Sequence, residues 1–216
     1  MLPLSSILIL FFITLGPIKT IGPFVQLTAG ASGRLRRTVA VRAVLVATLV
    51  VLGLALAGPV ILKNWGVSYP AVTLTGGTIL LLTSLQVMLK PSESPEPGDA
   101  PSGTLSTSML ISRLVIPTIV TPAGIAATLA LMVLSEGNQR FWLHIIGLLL
   151  LVMLLNLLTL LAARRILALA TSSGLRVIGW IFAVLQAALG AQVMINALRR
   201  LGALPLQALG AQGWGA

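Results

Sequence analysis

The chain of 216 residues is 57% hydrophobic and only 8% charged, with a mean hydropathy of +1.05. Soluble domains carry about 25% charged residues, so a water-soluble globule is excluded and an all-α integral membrane protein is expected. The net charge of +10, from 14 Lys+Arg against 4 Asp+Glu, lies in short loops between apolar runs, the pattern of positive-inside topology and not of a nucleic-acid partner.

Further classes fall to single residue counts. Absence of cysteine removes disulfides, thiolate metal sites and cysteine nucleophiles, and one histidine, His144, cannot build a His-based metal cluster. No metal and no cofactor are therefore expected. Tyr69 is the only tyrosine, so no stacking platform accompanies the arginines.

Six apolar segments follow in order, at about 2–27, 39–62, 71–89, 110–134, 142–163 and 175–198. Each has roughly the 17–25 residues that cross ~30 Å of hydrocarbon. The first lacks a basic leader and a small-x-small cleavage site, so we read it as a retained membrane helix and not as a signal peptide. It is interrupted at Thr14-Leu15-Gly16-Pro17-Ile18-Lys19-Thr20. Arg42, one turn into the second segment, fits the membrane interface. In the third, Gly76-Gly77 with Thr73 a turn earlier is a small-residue surface for close helix contact.

The stretch 90–103 holds four prolines and three of the four acidic residues, a composition for an extended solvated linker. It divides the chain into a first three-helix set (1–89), a linker (90–109), a second set (110–198) and a tail (199–216). Three is odd, so two sets sharing one fold must sit upside down relative to each other. That arithmetic makes a 3+3 inverted repeat.

The fourth segment is broken near Ile119-Val120-Thr121-Pro122-Ala123-Gly124, which matches the break in the first. Helices 1 and 4 are thus expected to be discontinuous. A break within lipid survives only where protein or a water-filled cavity satisfies the freed backbone groups, and paired breaks mark a transporter's solute site. The restarting half-helix offers N–H groups and roughly +0.5 charge to a carboxylate, while the stopping half-helix offers carbonyls to an ammonium group. Two crossed breaks could hold a zwitterion from both ends.

The candidate solute-binding residues are Gly16, Pro17, Lys19, Thr20, Thr121, Pro122, Ala123, Gly124, Asn156 and Gln192. Each has a plainer reading. Gly16 and Gly124 fit close backbone approach or a simple packing contact, and Pro17 and Pro122 fit tolerated kinks. Thr20 and Thr121 could meet a solute or bond the preceding turn. Asn156 and Gln192 could face a cavity or join neighbouring helices, as Gln86, Gln186 and Asn196 do on the plain reading. Lys19 either lines a cavity, where it favours an anionic group, or snorkels to the interface. His144, beside Trp142 at a helix start, reads as an interfacial anchor.

Several strings together resemble the MarC/SnatA family of bacterial and archaeal inner-membrane proteins. They are Val67-Ser68-Tyr69-Pro70-Ala71, then Leu74-Thr75-Gly76-Gly77-Thr78-Ile79-Leu80-Leu81, and Ala187-Ala188-Leu189-Gly190-Ala191-Gln192-Val193-Met194-Ile195-Asn196 after Gly174-Leu175-Arg176. The resemblance covers nearly the whole chain. It implies a 3+3 inverted fold and transport of small neutral amino acids such as alanine, glycine or serine, in a bacterial inner membrane. The family's first break usually reads Asn/Asp-Pro-x-Gly-Asn where this chain has Gly16-Pro17-Ile18-Lys19-Thr20. Its fourth helix usually reads Gly-Pro-Gly-Ala where this chain has Thr121-Pro122-Ala123-Gly124.

Orientation follows from basic residues near the helix ends. Loops 1–2, 3–4 and 5–6 carry Arg34, Arg36, Arg37, Arg42, Lys90, Arg113, Arg164, Arg165 and Arg176, against Lys63, Arg140, Arg199 and Arg200 opposite. Both termini are expected outside the cytoplasm. The expected function is a secondary transporter or exporter working by alternating access, with the lipid bilayer and a small neutral amino acid as partners. A non-transporting scaffold or accessory subunit is the alternative. Neither a Gly-x-Ser-x-Gly setting nor a pair of intramembrane aspartates is present, so no enzyme and no catalytic residue is expected. H⁺ or Na⁺ coupling, transport direction and oligomeric state stay open.

Overall fold

The computed structural model describes residues 4–89, 106–135, 137–169 and 172–203, which contain helices and no strand. In chain order the helices are α1 (Leu4–Thr14), α2 (Ile18–Leu27), α3 (Gly33–Asn64), α4 (Tyr69–Leu89) and α5 (Thr107–Arg113). A π-helical stretch (Leu114–Ile119) follows, then α6 (Pro122–Leu134), α7 (Gln139–Leu169) and α8 (Ser172–Arg200). Most of the expected linker, 90–105, and most of the tail, 204–216, lie outside the described residues.

Five stretches among the described residues are long and apolar enough to cross a membrane: Leu4–Leu27, Gly33–Asn64, Tyr69–Leu89, Gln139–Ile166 and Gly179–Arg200. The expected fourth span is present only in pieces, Thr107–Ile116 and Pro122–Leu134, each too short to cross alone. Proline explains the fragmentation. A residue before proline is driven away from helical angles, and Ile116, preceding Pro117, has φ −121° and ψ 123°. Thr121, preceding Pro122, has φ −97° and ψ 153°. Pro117 also has no N–H to give the Arg113 carbonyl, which the Thr118 hydroxyl takes instead at 3.3 Å. The helix widens locally, so that the Val120 N–H donates to the Val115 carbonyl five residues back, at 2.9 Å.

Helix α3 is built inside out relative to a helix of a soluble bundle. On α3 the buried row is Val39, Ala43, Ala47, Val51 and Ala55, while Leu45, Leu49, Leu56 and Val60 are exposed. Large side chains toward lipid and small ones toward protein are what membrane packing favours, because shape drives association there and apolar burial does not. Among the described residues α4 and α8 are the most extensively packed pair. A methyl added at Gly190 would lie 2.8 Å from the Gly77 carbonyl oxygen and 2.8 Å from the Leu81 nitrogen, so these two backbones touch through glycine. Gln186 on α8 clips onto α4, its Nε2 donating to the Thr83 hydroxyl at 2.8 Å.

Helix α2 packs on α7 and α6 on α3, and α3 and α7 pack on each other. The first broken span thus lies against α7, while the fourth lies against α3 and, through α6, still more extensively against α4.

Candidate functional site at the crossed helix breaks

In the first span, α1 ends at Thr14 and α2 begins at Ile18, leaving Leu15, Gly16 and Pro17 between them. Gly16 is required by the turn itself. Its Cα lies so near the Phe12 carbonyl that an added Cβ would fall 1.4 Å from that oxygen. Pro17 then opens α2 with φ −71° and offers no side-chain cap. Its carbonyl accepts both the Thr20 N–H at 3.2 Å and the Thr20 hydroxyl at 2.7 Å. The plain reading of Thr20 therefore holds: its hydroxyl closes its own first turn.

The second break lies against the first. Thr121, the N-cap of α6, accepts from the Gly124 N–H at 3.1 Å and donates its hydroxyl to the Thr14 carbonyl at 2.9 Å. Gly124 permits that approach, since an added methyl would stand 2.1 Å from Leu15 Cδ2. Ala123 beside it is buried and Pro122 is exposed. From α7 comes Asn156, fully buried, whose Nδ2 donates to the Leu15 carbonyl at 2.7 Å and to the Val152 carbonyl at 3.2 Å. Its Oδ1 is buried with no protein partner.

Lys19 follows neither expected course alone. The side chain is exposed, yet its Nζ turns back and donates to the Thr14 carbonyl. There the ammonium meets the negative end of α1. One oxygen thus serves a lysine from its own span and a threonine from the other.

The two half-helix starts differ electrically. At α6, Pro122 removes one donor, the Thr121 hydroxyl takes a second, and the Ile125 N–H returns to the Thr121 carbonyl at 2.9 Å. That start is largely self-capped, which corrects the expectation of an open anion cradle there. At α2, Ile18 and Lys19 occupy first-turn positions whose N–H groups have no carbonyl within the helix, and no side chain caps them. The first break thus keeps the more open positive end, since at α6 only the Ala123 N–H is left without a cap.

Of the ten candidate residues, those at 16–20, 121–124 and 156 surround one locus. Gln192 does not join them: it is exposed on α8 and its Nε2 donates to Asn196 Oδ1 at 3.1 Å within the same helix. Sequence reasoning missed Thr14, whose carbonyl is the shared acceptor, and Leu15, fully buried over Gly124. The Thr14 hydroxyl bonds the Leu10 carbonyl of its own helix, so its side chain gives no hint of the carbonyl's role, and Leu15 has no signal beyond adjacency to Gly16-Pro17.

Two cavities lie along α4 and α6, and only the first reaches the locus, at Pro122. One, about 340 Å³, is walled by Pro122, Ile125, Ala126, Thr75 and Gly76. Another, about 320 Å³, runs past Thr73, Ala127 and Asn196 to Arg199 and Arg200. Gly76 and Ala126 border both. At the outer rim the Arg200 guanidinium lies 4.8 Å from the centre of the Tyr69 ring, a cation–π contact.

A family model described as MarC family integral membrane protein matches residues 3–201. The chain is similar to the UPF0056 membrane protein MJ1677 of Methanocaldococcus jannaschii, with 29% identity over 194 residues, spanning 87% of this chain and 92% of that protein. No solved structure matches the chain.

Proposed function

Because the chain belongs to the MarC family of integral membrane proteins, with several apolar helices of membrane-crossing length, we propose that it is a secondary transporter of small neutral amino acids. It works by alternating access, with the two broken spans as its solute site. The observation that carries the reading is the meeting of the breaks, where the Thr121 hydroxyl bonds the Thr14 carbonyl and Asn156 leaves a buried acceptor unpartnered. Burying an acceptor without a donor costs about 1–3 kcal/mol. An incoming ammonium group would supply that donor, and the uncapped start of α2 would receive the carboxylate.

In this reading the fragments of the fourth span together make a sixth crossing, and the sets 1–89 and 110–198 form a 3+3 inverted repeat. The matching seats of α2 on α7 and α6 on α3 support it. The arginine-rich side faces the cytoplasm and both termini lie outside it, in a bacterial-type inner membrane. No catalytic role is assigned, and H⁺ or Na⁺ coupling is tested together with flux.

Two contacts favour a second reading, a non-transporting scaffold: Leu15 fills the space over Gly124, and Lys19 already occupies the Thr14 carbonyl. Counterflow of labelled glycine, alanine and serine in proteoliposomes separates the two. A transporter gives saturable uptake that depends on internal solute. Absence of saturable flux for all three ends the amino-acid reading.

A further inference from the structure

At the opposite end of the protein from Arg199 and Arg200, a cavity of about 150 Å³ lies between the start of α3 and the last third of α7. It is lined by Arg36, Arg37 and Arg164, by Gly33, and by Phe24, Leu160 and Leu161. Positive-inside topology accounts for arginines at this end of the helices. It does not account for three of them converging on one hollow from helices more than a hundred residues apart in sequence.

We propose that this cavity binds the phosphodiester of an anionic phospholipid on the arginine-rich face of the membrane. The charge is right. Three guanidiniums present planar forks suited to phosphate oxygens, and the N-terminus of α3 at Gly33 adds the positive end of a long helix. The Arg36 Nε lies 3.5 Å from the Ser32 carbonyl oxygen, which leaves its other donors for a ligand.

A soluble phosphate would satisfy the same arginines, but the surroundings favour a lipid. The cavity floor is apolar, with Phe24 and Leu160 buried. Leu161 forms one wall and is itself 48% exposed, and it heads an exposed row on α7 that continues through Leu158, Leu154 and Leu151. Residues three and four apart share a helix face, so a headgroup seated on the arginines has an apolar track running from it toward the membrane centre. Basic hollows between helix ends on the cytoplasmic side are where anionic headgroups bind.

The test uses the purified full chain in detergent with equimolar phosphatidylcholine and phosphatidylglycerol, counting bound lipids by native mass spectrometry. Each arginine near an anionic surface strengthens attraction roughly fivefold, so wild type should hold phosphatidylglycerol over phosphatidylcholine by about tenfold or more. The triple variant R36Q/R37Q/R164Q should fall below about twofold, and R164Q alone should lose about fivefold. Arg164 is exposed, so the single variant keeps the test usable should the triple fail to fold. R140Q, at the other end of α7, should behave as wild type. A large excess of inorganic phosphate should leave the lipid bound; displacement would identify a soluble phosphate as the ligand and overturn the lipid. Equal retention of the two lipids by wild type would also overturn it.

Discussion

Replacing Thr121 with valine keeps the shape of the side chain and removes its hydroxyl. Two bonds are lost: the cap on the Gly124 N–H at 3.1 Å and the bridge to the Thr14 carbonyl at 2.9 Å. An N-cap hydroxyl contributes about 1 kcal/mol. An interhelical bond within a membrane averages about 0.6 kcal/mol, and here the low value applies because Lys19 still donates to the same carbonyl. The extended backbone at Thr121, φ −97° and ψ 153°, suits a β-branched residue, so no strain is added. The expected loss is about 1.5–2 kcal/mol, read by reversible SDS unfolding in mixed micelles. Thr121→Ser should return most of it.

A second substitution sharpens the test. Lys19→Met alone should cost little, since Thr121 still holds the Thr14 carbonyl. Thr121→Val with Lys19→Met leaves that oxygen without either donor, and an unmade bond at a buried group costs about 1–3 kcal/mol. The double variant should therefore lose about 1 kcal/mol more than the sum of the single losses. The reasoning fails if Thr121→Val lies within about 0.5 kcal/mol of wild type, if serine loses as much as valine, or if the pair is additive.

Gly190→Ala should be among the most damaging small changes, because its methyl meets the Gly77 carbonyl and the Leu81 nitrogen at 2.8 Å. Backbone atoms cannot step aside, so about 3 kcal/mol or more should be lost, visible in the same unfolding titration. Asn156→Leu removes the donor to the Leu15 carbonyl but also the unpartnered Oδ1. The two effects offset to a net of about 1 kcal/mol. If Asn156 serves solute, counterflow should nevertheless drop by at least about tenfold, a loss equal to one bond's worth of binding at about 1.4 kcal/mol.

Much of this arrangement was legible in the sequence, because proline and glycine act locally. Pro17 and Pro122 set the restarts of α2 and α6, and Gly16 and Gly124 stand where no side chain fits. Pro117 reshapes the fourth span more than Pro122 does. Pro122 sits at a helix start where it is tolerated, whereas Pro117 falls where the helix would otherwise continue. What could not be read was partnership across the fold. Thr121 and Thr14 are 107 residues apart, and Asn156 and Leu15 are 141 apart; no local rule pairs them. Gln192 is a related case: an amide on a helix looks the same in sequence whether it faces a cavity or, as here, its own next turn. Lys19 reads as anomalous for an apolar span only until the carbonyl left by the interrupted helix is placed beside it.

A carbonyl oxygen has two lone pairs, and at Thr14 both are taken, one by each interrupted span. Any guest amine reaching that oxygen must evict a resident, so its arrival is a swap in which the tally of bonds scarcely changes. Capture on those terms is weak and easily reversed, as the transport proposed above requires of a solute that must be let go on the far side. It also ties the guest to the seam: whichever resident is evicted, the stitch between the spans or the lysine clasp within one of them is undone.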